Sequence, residues 1–424
     1  MAFAKDQWTK PVQQADGTTR RERDDKRWGR GKRWLGVWRD PSDRERSRAF
    51  ETKTKALQFA TAMETDRDRG EYFDPAAGSV RLNTIGAQWL AGRQVDPATV
   101  IRYEYWWRLH VQPTFGSSQV RSVRPSQIAV WVTGLNNAYG VSTARGAFAV
   151  LFGCLEIAVA DGILKSNPAR STVIKLPAVR RPQIVVWPDE TVQRIVVAHP
   201  ERFRPIPLIA AACGLRQGEL LGLGAEDIDF GAGMIHVRRQ LKQLGKHYVF
   251  AFPKNDRERA VPLSPLVALH LLHHLKAFPH APFALPWERV DGDPIAVQLL
   301  FRGPDGGCLK ARTYNGGVWR PAIAAAGIIP AATRNSRGRM AYVGSRKDGI
   351  HALRHYYASV TLTDGVNIKE LAEYLGHRSA AFTLEHYQHL LPTSHDRARK
   401  AVDNRLTRIG LSNPQELAGS GQVA

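Results

Sequence analysis

The chain has 424 residues, of which 43% are hydrophobic, and carries 60 Lys and Arg against 39 Asp and Glu, a formal net charge of +21. That length calls for two or three domains with real cores, and the charge favours a polyanionic partner through counterion release and steering. Three cysteines, Cys154, Cys213 and Cys308, in no finger spacing argue against a disulfide framework and a structural zinc, and fit a reducing cytoplasm.

The N-terminus lacks the apolar core of a signal peptide, and no uninterrupted apolar run looks long enough to cross a bilayer, so a soluble intracellular protein with no membrane partner is expected. The first twenty or so residues are polar and are expected to be loose. From Arg27 to Asp40, basic residues (Arg27, Arg30, Lys32, Arg33, Arg39) interleave with Trp28, Trp34 and Trp38. Trp34 and Trp38 fall on one side of an alternating strand, with Arg33, Val37 and Arg39 on the other. A turn at Asp40-Pro41-Ser42-Asp43 leads to a second strand from Arg44 to Phe50, and Thr52 is placed to cap a helix through Leu57, Phe59 and Met63. A small sheet on one helix results, and its basic strands suit a DNA major groove; the bland reading is an ordinary module with a charged face.

After a linker at residues 72–79 the pattern turns helical. One helix carries Ile85, Trp89 and Leu90; a second opens at Asp96-Pro97 and carries Ile101, Tyr103, Tyr105, Trp106 and Leu109. A third follows Arg124-Pro125 with Ile128, Val130 and Trp131; Ser142 is placed to cap a fourth through Ala147, Leu151, Cys154 and Ile157. Their aromatics read as core. Asn167 to Pro188, with Lys175, Arg180, Arg181 and Pro182, reads as an extended basic strap, and a third domain begins near Pro188. The segment after Asp396 reads as a polar helix fading into a tail.

The chemistry lies in that third domain. Ala212-Cys213-Gly214-Leu215-Arg216-Gln217-Gly218-Glu219-Leu220 breaks a helix at Gly214 and sets Arg216 at the break, where its fork can meet two phosphate oxygens or simply pair with Glu219. Past strand Met234–Val237, Phe252-Pro253-Lys254 to Leu263 reads as a hairpin with Lys254 near its turn and Val261 returning to the core; taken alone, such a lysine is a solvated turn residue. His351 and Arg354 share one helix face, with Leu353, Tyr357 and Val360 toward the core; Tyr356 and Tyr357 are rival nucleophiles that packing explains better. A short helix from Ile368 to Leu375 stops at Gly376, His377 follows, and Tyr387 falls near the middle of a further helix. Free phenol has a pKa near ~10, and nearby guanidinium groups favour its phenolate and the charge of a phosphorane. His270, His273 and His274 have zinc-like spacing without a matching carboxylate or cysteine, so a helix face with imidazoles at its rim is preferred.

Taken in order, Arg216, Lys254, His351, Arg354, His377 and Tyr387 resemble the active-site set of the tyrosine recombinases, the phage-integrase family. The framing residues match as well: Gly214-Leu215 and Gly218-Glu219-Leu220 around Arg216, Pro253, Leu353 and His355, Leu375-Gly376, and Thr383 ahead of Tyr387. The resemblance implies a multidomain α+β chain: a small N-terminal three-stranded sheet plus helix, an all-α core-binding domain of SAM-like type, and a mainly α catalytic domain with a small antiparallel β-sheet. The implied divisions are 1–73 for an arm-type DNA-binding domain, 80–170 for the core-binding domain, 183–395 for the catalytic domain and 396–424 for the tail. Two departures are a His377-to-Tyr387 spacing that looks one residue longer than in many members, and an enlarged basic loop from Ala331 to Lys347 that includes Arg334, Arg337, Arg339 and Arg346.

What the resemblance implies is DNA cleavage and rejoining through a 3′-phosphotyrosine, with no metal and no cofactor. Tyr387 would be the nucleophile, Arg216 and Arg354 the phosphate clamps, and Lys254 the general acid; His351 would assist proton transfer from Tyr387, and His377 would bond a phosphate oxygen. Implied partners are double-stranded DNA at core and arm attachment sites, a homo-tetramer on DNA, a directionality factor and a host DNA-bending protein, in a bacterial cytoplasm at the nucleoid. The basic residues Arg27 to Arg39 are the candidate arm contacts. Alternatives are a type IB topoisomerase and a catalytically idle DNA-binding protein that kept the fold.

Overall fold

The computed structural model describes residues 1–14, 18–70, 72, 77–179, 184, 186–254, 256–278, 281–336, 338–387 and 395–409. The chain divides into two units, residues 1–180 and 181–424.

In the first unit the strands are β1 (Phe3–Asp6), β2 (Thr9–Gln13), β3 (Thr19–Arg23), β4 (Trp34–Arg39) and β5 (Glu45–Phe50). β1, β4 and β5 form an antiparallel sheet in the order β1-β4-β5, and β2 pairs with β3. The opening residues are therefore strands, where their polarity suggested a loose segment. β1 is held by backbone pairing, from Phe3 opposite Val37 to Asp6 opposite Trp34, and Asp6 takes an Arg33 guanidinium at 2.8 Å. Polarity in so short an edge strand reports an exposed surface, and its ladder bonds are with a partner distant in sequence.

The helix Lys53–Asp68 starts where Thr52 accepts from the Lys55 amide at 3.4 Å. It lies on the Trp34, Gly36 and Trp38 face of β4: a Cβ on Gly36 would collide with the Ala56 carbonyl, and Trp38 meets Phe59 edge to face at 5.4 Å. Val37, on the other face, is buried too, so strict alternation fails at this central strand. Arg27, Arg30 and Lys32 are exposed in the turn-rich segment before β4 rather than on a strand. Arg33 also precedes β4 and is bonded to Asp6; Arg39 is exposed and pairs with Asp43.

The helices Leu82–Ala91, Pro97–Trp106, Pro125–Tyr139 and Val141–Ala160 follow. Asp96 caps the second by accepting from the Ala98 amide at 2.9 Å. After Trp106 a π-helical turn, Trp107–Val111, shifts the face, which leaves Leu109 exposed while Trp107 and Val111 are buried. Gly86 and Gly146 are notches for Trp107 and Trp106, whose rings occupy the space of a Cβ. Val130 was expected in the core and is 74% exposed; Ile128 and Val132 face inward instead. Ser142 is not the cap of the fourth helix, because Gly140, at φ +82°, turns the chain two residues earlier. Val141–Ala160 is, contrary to expectation, long and apolar enough to cross a membrane. Its Ala147, Val150, Leu151, Cys154 and Leu155 are buried in the helical core, and Arg145 and Glu156 interrupt it. Past it, Asn167 caps a short 3-10 turn, Pro168–Arg170, so the strap begins folded; Arg180, Arg181 and Pro182 lie outside the described residues.

The second unit begins with the helices Asp189–Ala198, Pro205–Cys213 and Gln217–Leu221. Strands β6 (Ile228–Asp229), β7 (Met234–Val237), β8 (Gln240–Leu244), β9 (His247–Ala251) and β10 (Arg259–Pro262) follow, with β10-β7-β6 as one sheet and β8–β9 as a separate hairpin. Lys254 therefore sits in the connection from β9 to β10 and not at the tip of a hairpin of its own, since β10 pairs with β7. Val261 is fully buried, as expected. Ile206, Ile209, Leu220, Ile235, Phe250 and Leu353 pack with it, each worth roughly 1.5–3 kcal/mol of burial.

On the helix Pro265–Ala277, His274 is buried and bonds the Leu300 carbonyl at 3.1 Å while the side chain of His273 is 71% exposed. Among the described residues no group of three His, Cys, Asp or Glu side chains is placed to hold a metal. The basic stretch before His351 contains a two-stranded ribbon, Thr333–Arg334 with Met340–Ala341; Arg337 lies outside the described residues. The helices His351–Thr363, Ile368–Leu375, Ala380–Tyr387 and His395–Arg408 complete the unit. Val360 was expected inward but is 38% exposed, because Ala358 and Leu362 take the buried face. The described part of the last of the cleft's helices runs from Ala380 to Tyr387; the residues directly after Tyr387, which would show its place in the helix, lie outside the described residues.

Candidate active site

Two glycines build the floor of the site. Gly214 ends the helix Pro205–Cys213 at φ +64°, and Gly376 ends Ile368–Leu375 at φ +60°, both in the left-handed region. A helix that stops this way leaves its last carbonyls without intrahelical donors and presents a partial negative charge. Arg354 uses both ends: one guanidinium nitrogen donates to the Gly214 carbonyl at 2.6 Å and another to the Leu375 carbonyl. Arg216 donates to the Gly376 carbonyl at 3.0 Å. A Cβ on Gly214 would also collide with the Tyr357 ring, so both backbone conformation and space demand glycine there.

Arg354 is 1% exposed, and an unpaired guanidinium in that position would cost several kcal/mol, roughly 3–5 by analogy with broken buried pairs. Burial first, and the neighbouring Arg216 charge second, lower its pKa to about 9, which leaves it cationic at neutral pH. The required counter-charge is Glu219. Its carboxylate accepts from the Arg216 amide and guanidinium, both at 2.8 Å, and from Arg259 at 3.1 and 2.6 Å. Burial alone would raise the Glu219 pKa, but the Arg259 hydrogen bond and the two cations bring it down to about 2. Arg259 also donates to the Tyr374 carbonyl at 2.7 Å, and Arg257 to the His377 carbonyl at 3.1 Å. The chain that carries Lys254 is thereby tied to the end of the helix that precedes His377.

These elements enclose a cleft of about 570 Å³. All six sequence-derived residues, Arg216, Lys254, His351, Arg354, His377 and Tyr387, line it. Lys254 is exposed at its edge. The His351 ring keeps water contact yet is crowded by the cleft wall; that desolvation, with the Arg354 and Arg216 charges, pushes it down to about 4. His377 is oriented by Thr383, Nδ1 to Oγ1 at 2.7 Å, and is lowered to about 3 by burial and the same arginines. Both rings are neutral at physiological pH and can donate one hydrogen bond each to an anion. The cleft thus offers fixed guanidinium and imidazole donors to something carrying negative charge.

Tyr387 is 2% exposed. Its hydroxyl lies 2.7 Å from His355 Nδ1. Nearby guanidinium groups were expected to make it acidic; instead burial raises it to about 12, and Arg354 offsets only part of that. The rival phenols are elsewhere. Tyr356 donates to Asp189 at 2.8 Å, and Tyr357 is buried in the core with its pKa pushed up. Sequence reasoning gave no role to His355, Arg259 or Arg378, although His355 and Arg378 line the cleft. The spacing of His355, one helical turn after His351, was the available signal; its ring meets His351 edge to face at 4.8 Å. Nothing in sequence marked Arg259, whose partner lies forty residues away.

No protein-family model matches the chain. A prophage phiRv2 integrase of Mycobacterium tuberculosis is 25% identical over 374 residues, covering 84% of this chain and 88% of that protein. The ICEBs1 integrase of Bacillus subtilis is 24% identical over 385 residues, covering 87% and 95%. Among solved structures, the Tn1549 transposon integrase in complex with transposon right end DNA matches with a TM-score of 0.60 at 21% identity, over 77% of this chain and 99% of that one. A lambda integrase tetramer bound to a Holliday junction matches with a TM-score of 0.51 at 17% identity, over 82% and 94%. The fold is that of the tyrosine-recombinase integrases, a multidomain α+β architecture. Along most of its length the chain is similar to tyrosine recombinases of the phage-integrase kind.

Proposed function

We propose that this chain is a site-specific DNA recombinase of the tyrosine type, which cuts and rejoins DNA to integrate or excise a phage or other mobile element. Relatives named as a prophage phiRv2 integrase, the ICEBs1 integrase and the transposase from transposon Tn916 support the element class. One observation carries the chemistry: Arg216 and Arg354, two neutral imidazoles and the Tyr387 phenol share one cleft, with Lys254 at its edge. A scissile phosphate seated against the arginines brings its phosphorus toward Tyr387 with both non-bridging oxygens held. The Tyr387 oxygen attacks, a 3′-phosphotyrosyl bond forms, and the 5′-oxygen leaves with a proton from Lys254. His377 bonds a non-bridging oxygen. Attack by a 5′-hydroxyl from the partner duplex reverses the step, and the phosphate bond energy is retained throughout.

Further parts of the reading concern assembly. Residues 1–73 act as an arm-type DNA-binding domain through Arg27, Arg30, Lys32, Arg33 and Arg39; residues 80–170 bind the core site; residues 183–395 catalyse; residues 396–424 form the tail. A tetramer on DNA is supported by the lambda integrase tetramer on a Holliday junction. The setting is the bacterial cytoplasm, at the nucleoid, with a directionality factor and a DNA-bending protein as accessory partners.

The test is a suicide-nicked duplex carrying the core site. A covalent protein–DNA adduct is expected from the wild type and from Tyr356→Phe, and none from Tyr387→Phe. An adduct that survives Tyr387→Phe overturns the assignment.

A further inference from the structure

The family's active-site set, carried over residue by residue, assigned the Tyr387 proton to His351. In the cleft, the nitrogen next to the Tyr387 hydroxyl belongs to His355, at 2.7 Å, and the two rings are tilted with centroids 5.7 Å apart. His351 lies one turn earlier on the same helix and meets His355 ring to ring at 4.8 Å. We propose that His355 is the group that holds the Tyr387 phenol and takes its proton as the phenol oxygen attacks the phosphate. This deepens the reading of Tyr387 as nucleophile and rests on it.

The hydrogen-bond geometry sets the roles. With the ring proton on Nε2, His355 Nδ1 has a lone pair free and the phenol O–H donates to it. On attack the Tyr387 O–H bond breaks and the proton passes to Nδ1; the O–P bond forms, the bond from phosphorus to the 5′-oxygen breaks, and that oxygen takes a proton from Lys254. The imidazolium returns its proton to Tyr387 when the partner 5′-hydroxyl attacks, and that hydroxyl's proton restores Lys254. No external acid, base or metal enters the balance.

The surroundings explain why the transfer waits for DNA. On its own helix His355 is faced by His351 and Arg354, and from the helix Ala380–Tyr387 by His386 and Tyr387. Arg216, Lys254, His377 and Arg378 share the cleft, and every one of these except Tyr387 is a cation or becomes one on protonation. Burial and the neighbouring positive groups lower His355 to about 4, while burial raises Tyr387 to about 12. In the free protein the proton therefore stays on the phenol and the nucleophile is idle. A phosphate diester places a negative charge among these cations, favours an imidazolium beside it and draws the proton across. The same pair buries the reactive oxygen until substrate arrives.

The test measures single-turnover adduct formation on the suicide-nicked core site across about pH 6 to 9, a span that separates base-assisted attack from attack by a freely ionised phenol. The wild type is expected to give a much flatter profile than a variant without the imidazole, because His355 takes the proton without help from solvent hydroxide. His355→Leu is expected to lose on the order of 10²-fold near neutral pH, and the loss should shrink by about tenfold per pH unit as solvent hydroxide takes over the proton. His355→Gln, which can still hydrogen-bond but cannot take a proton, should show the same slope and decides the question if the leucine variant does not fold. Adduct formation within about threefold of wild type, or a loss of equal size at every pH, would overturn the proposal, since a packing role alone has no pH signature. Tyr387→Phe run alongside keeps the two ideas apart: an adduct there defeats the nucleophile assignment itself, whatever His355 does.

Discussion

In the cleft, Arg354 is 1% exposed and spans two helix ends, and Arg216 is clamped between Glu219 and the Gly376 carbonyl. Before and along β4, Arg27, Arg30, Lys32 and Arg39 stand in water, and the Arg39 partner, Asp43, is itself exposed. The residue types overlap, yet the first pair is held by hydrogen bonds to the protein and the second group is a solvated charge layer. A guanidinium whose hydrogen bonds are already made to protein carbonyls cannot reorient, so the donors it has left are aimed before a ligand arrives. A solvated arginine adapts to any phosphate and loses rotamer freedom when it does so. Fixed charge suits the stabilisation of one reaction geometry; adaptable charge suits affinity for a long polyanion.

Substitutions at the two places should therefore fail differently. The largest effect is expected at Arg354→Ala, which removes a proposed phosphate clamp and leaves two helix-end carbonyls without their donor. Adduct formation on the nicked core site should fall by about 10³-fold. A fall of less than tenfold would mean that the buried arginine is a structural pin only.

Next is Glu219→Gln, read through stability. The folded-state pKa of Glu219, about 2, lies below its ordinary value of 4.5, so its contribution is fully present above about 4.5 and is lost as pH falls toward 2. The shift corresponds to about 3 kcal/mol. Wild-type melting temperature should drop through that window by more than that of the variant, and the variant should be the less stable of the two at neutral pH. Parallel curves would show that Arg216 and Arg259 do not depend on that carboxylate.

The smallest effect on the folded state is expected from the combined change of Arg27, Arg30 and Lys32 to Ala. Stability should move by no more than about 0.5 kcal/mol per site, and core-site cleavage should hold. Binding to a distal arm site should weaken, with a shallower dependence on salt. Equal loss of cleavage and of arm binding would erase the distinction between the two arginine populations.

Much of the cleft was legible because local sequence controls where helices stop. Gly214 and Gly376 announced two breaks; Arg216 stands two residues after the first and His377 directly after the second. The spacing of His351 and Arg354 put them on one helix, where they are found. Two misreadings share one cause, partners remote in sequence. β1 is a strand because β4 pairs with it, and Lys254 lies in a connection because β10 chose β7.

By itself the sequence determined the inventory: which cations, imidazoles and phenol exist, in what order, and where the backbone must turn to present them. Those are local properties, set by backbone conformation and helix periodicity. Only the tertiary structure decided the pairings, namely that Arg259 neutralises Glu219, that Thr383 aims His377, and that His355 rather than His351 sits on the Tyr387 hydroxyl. Such contacts depend on angstrom distances between side chains on different elements, which helix periodicity alone does not set.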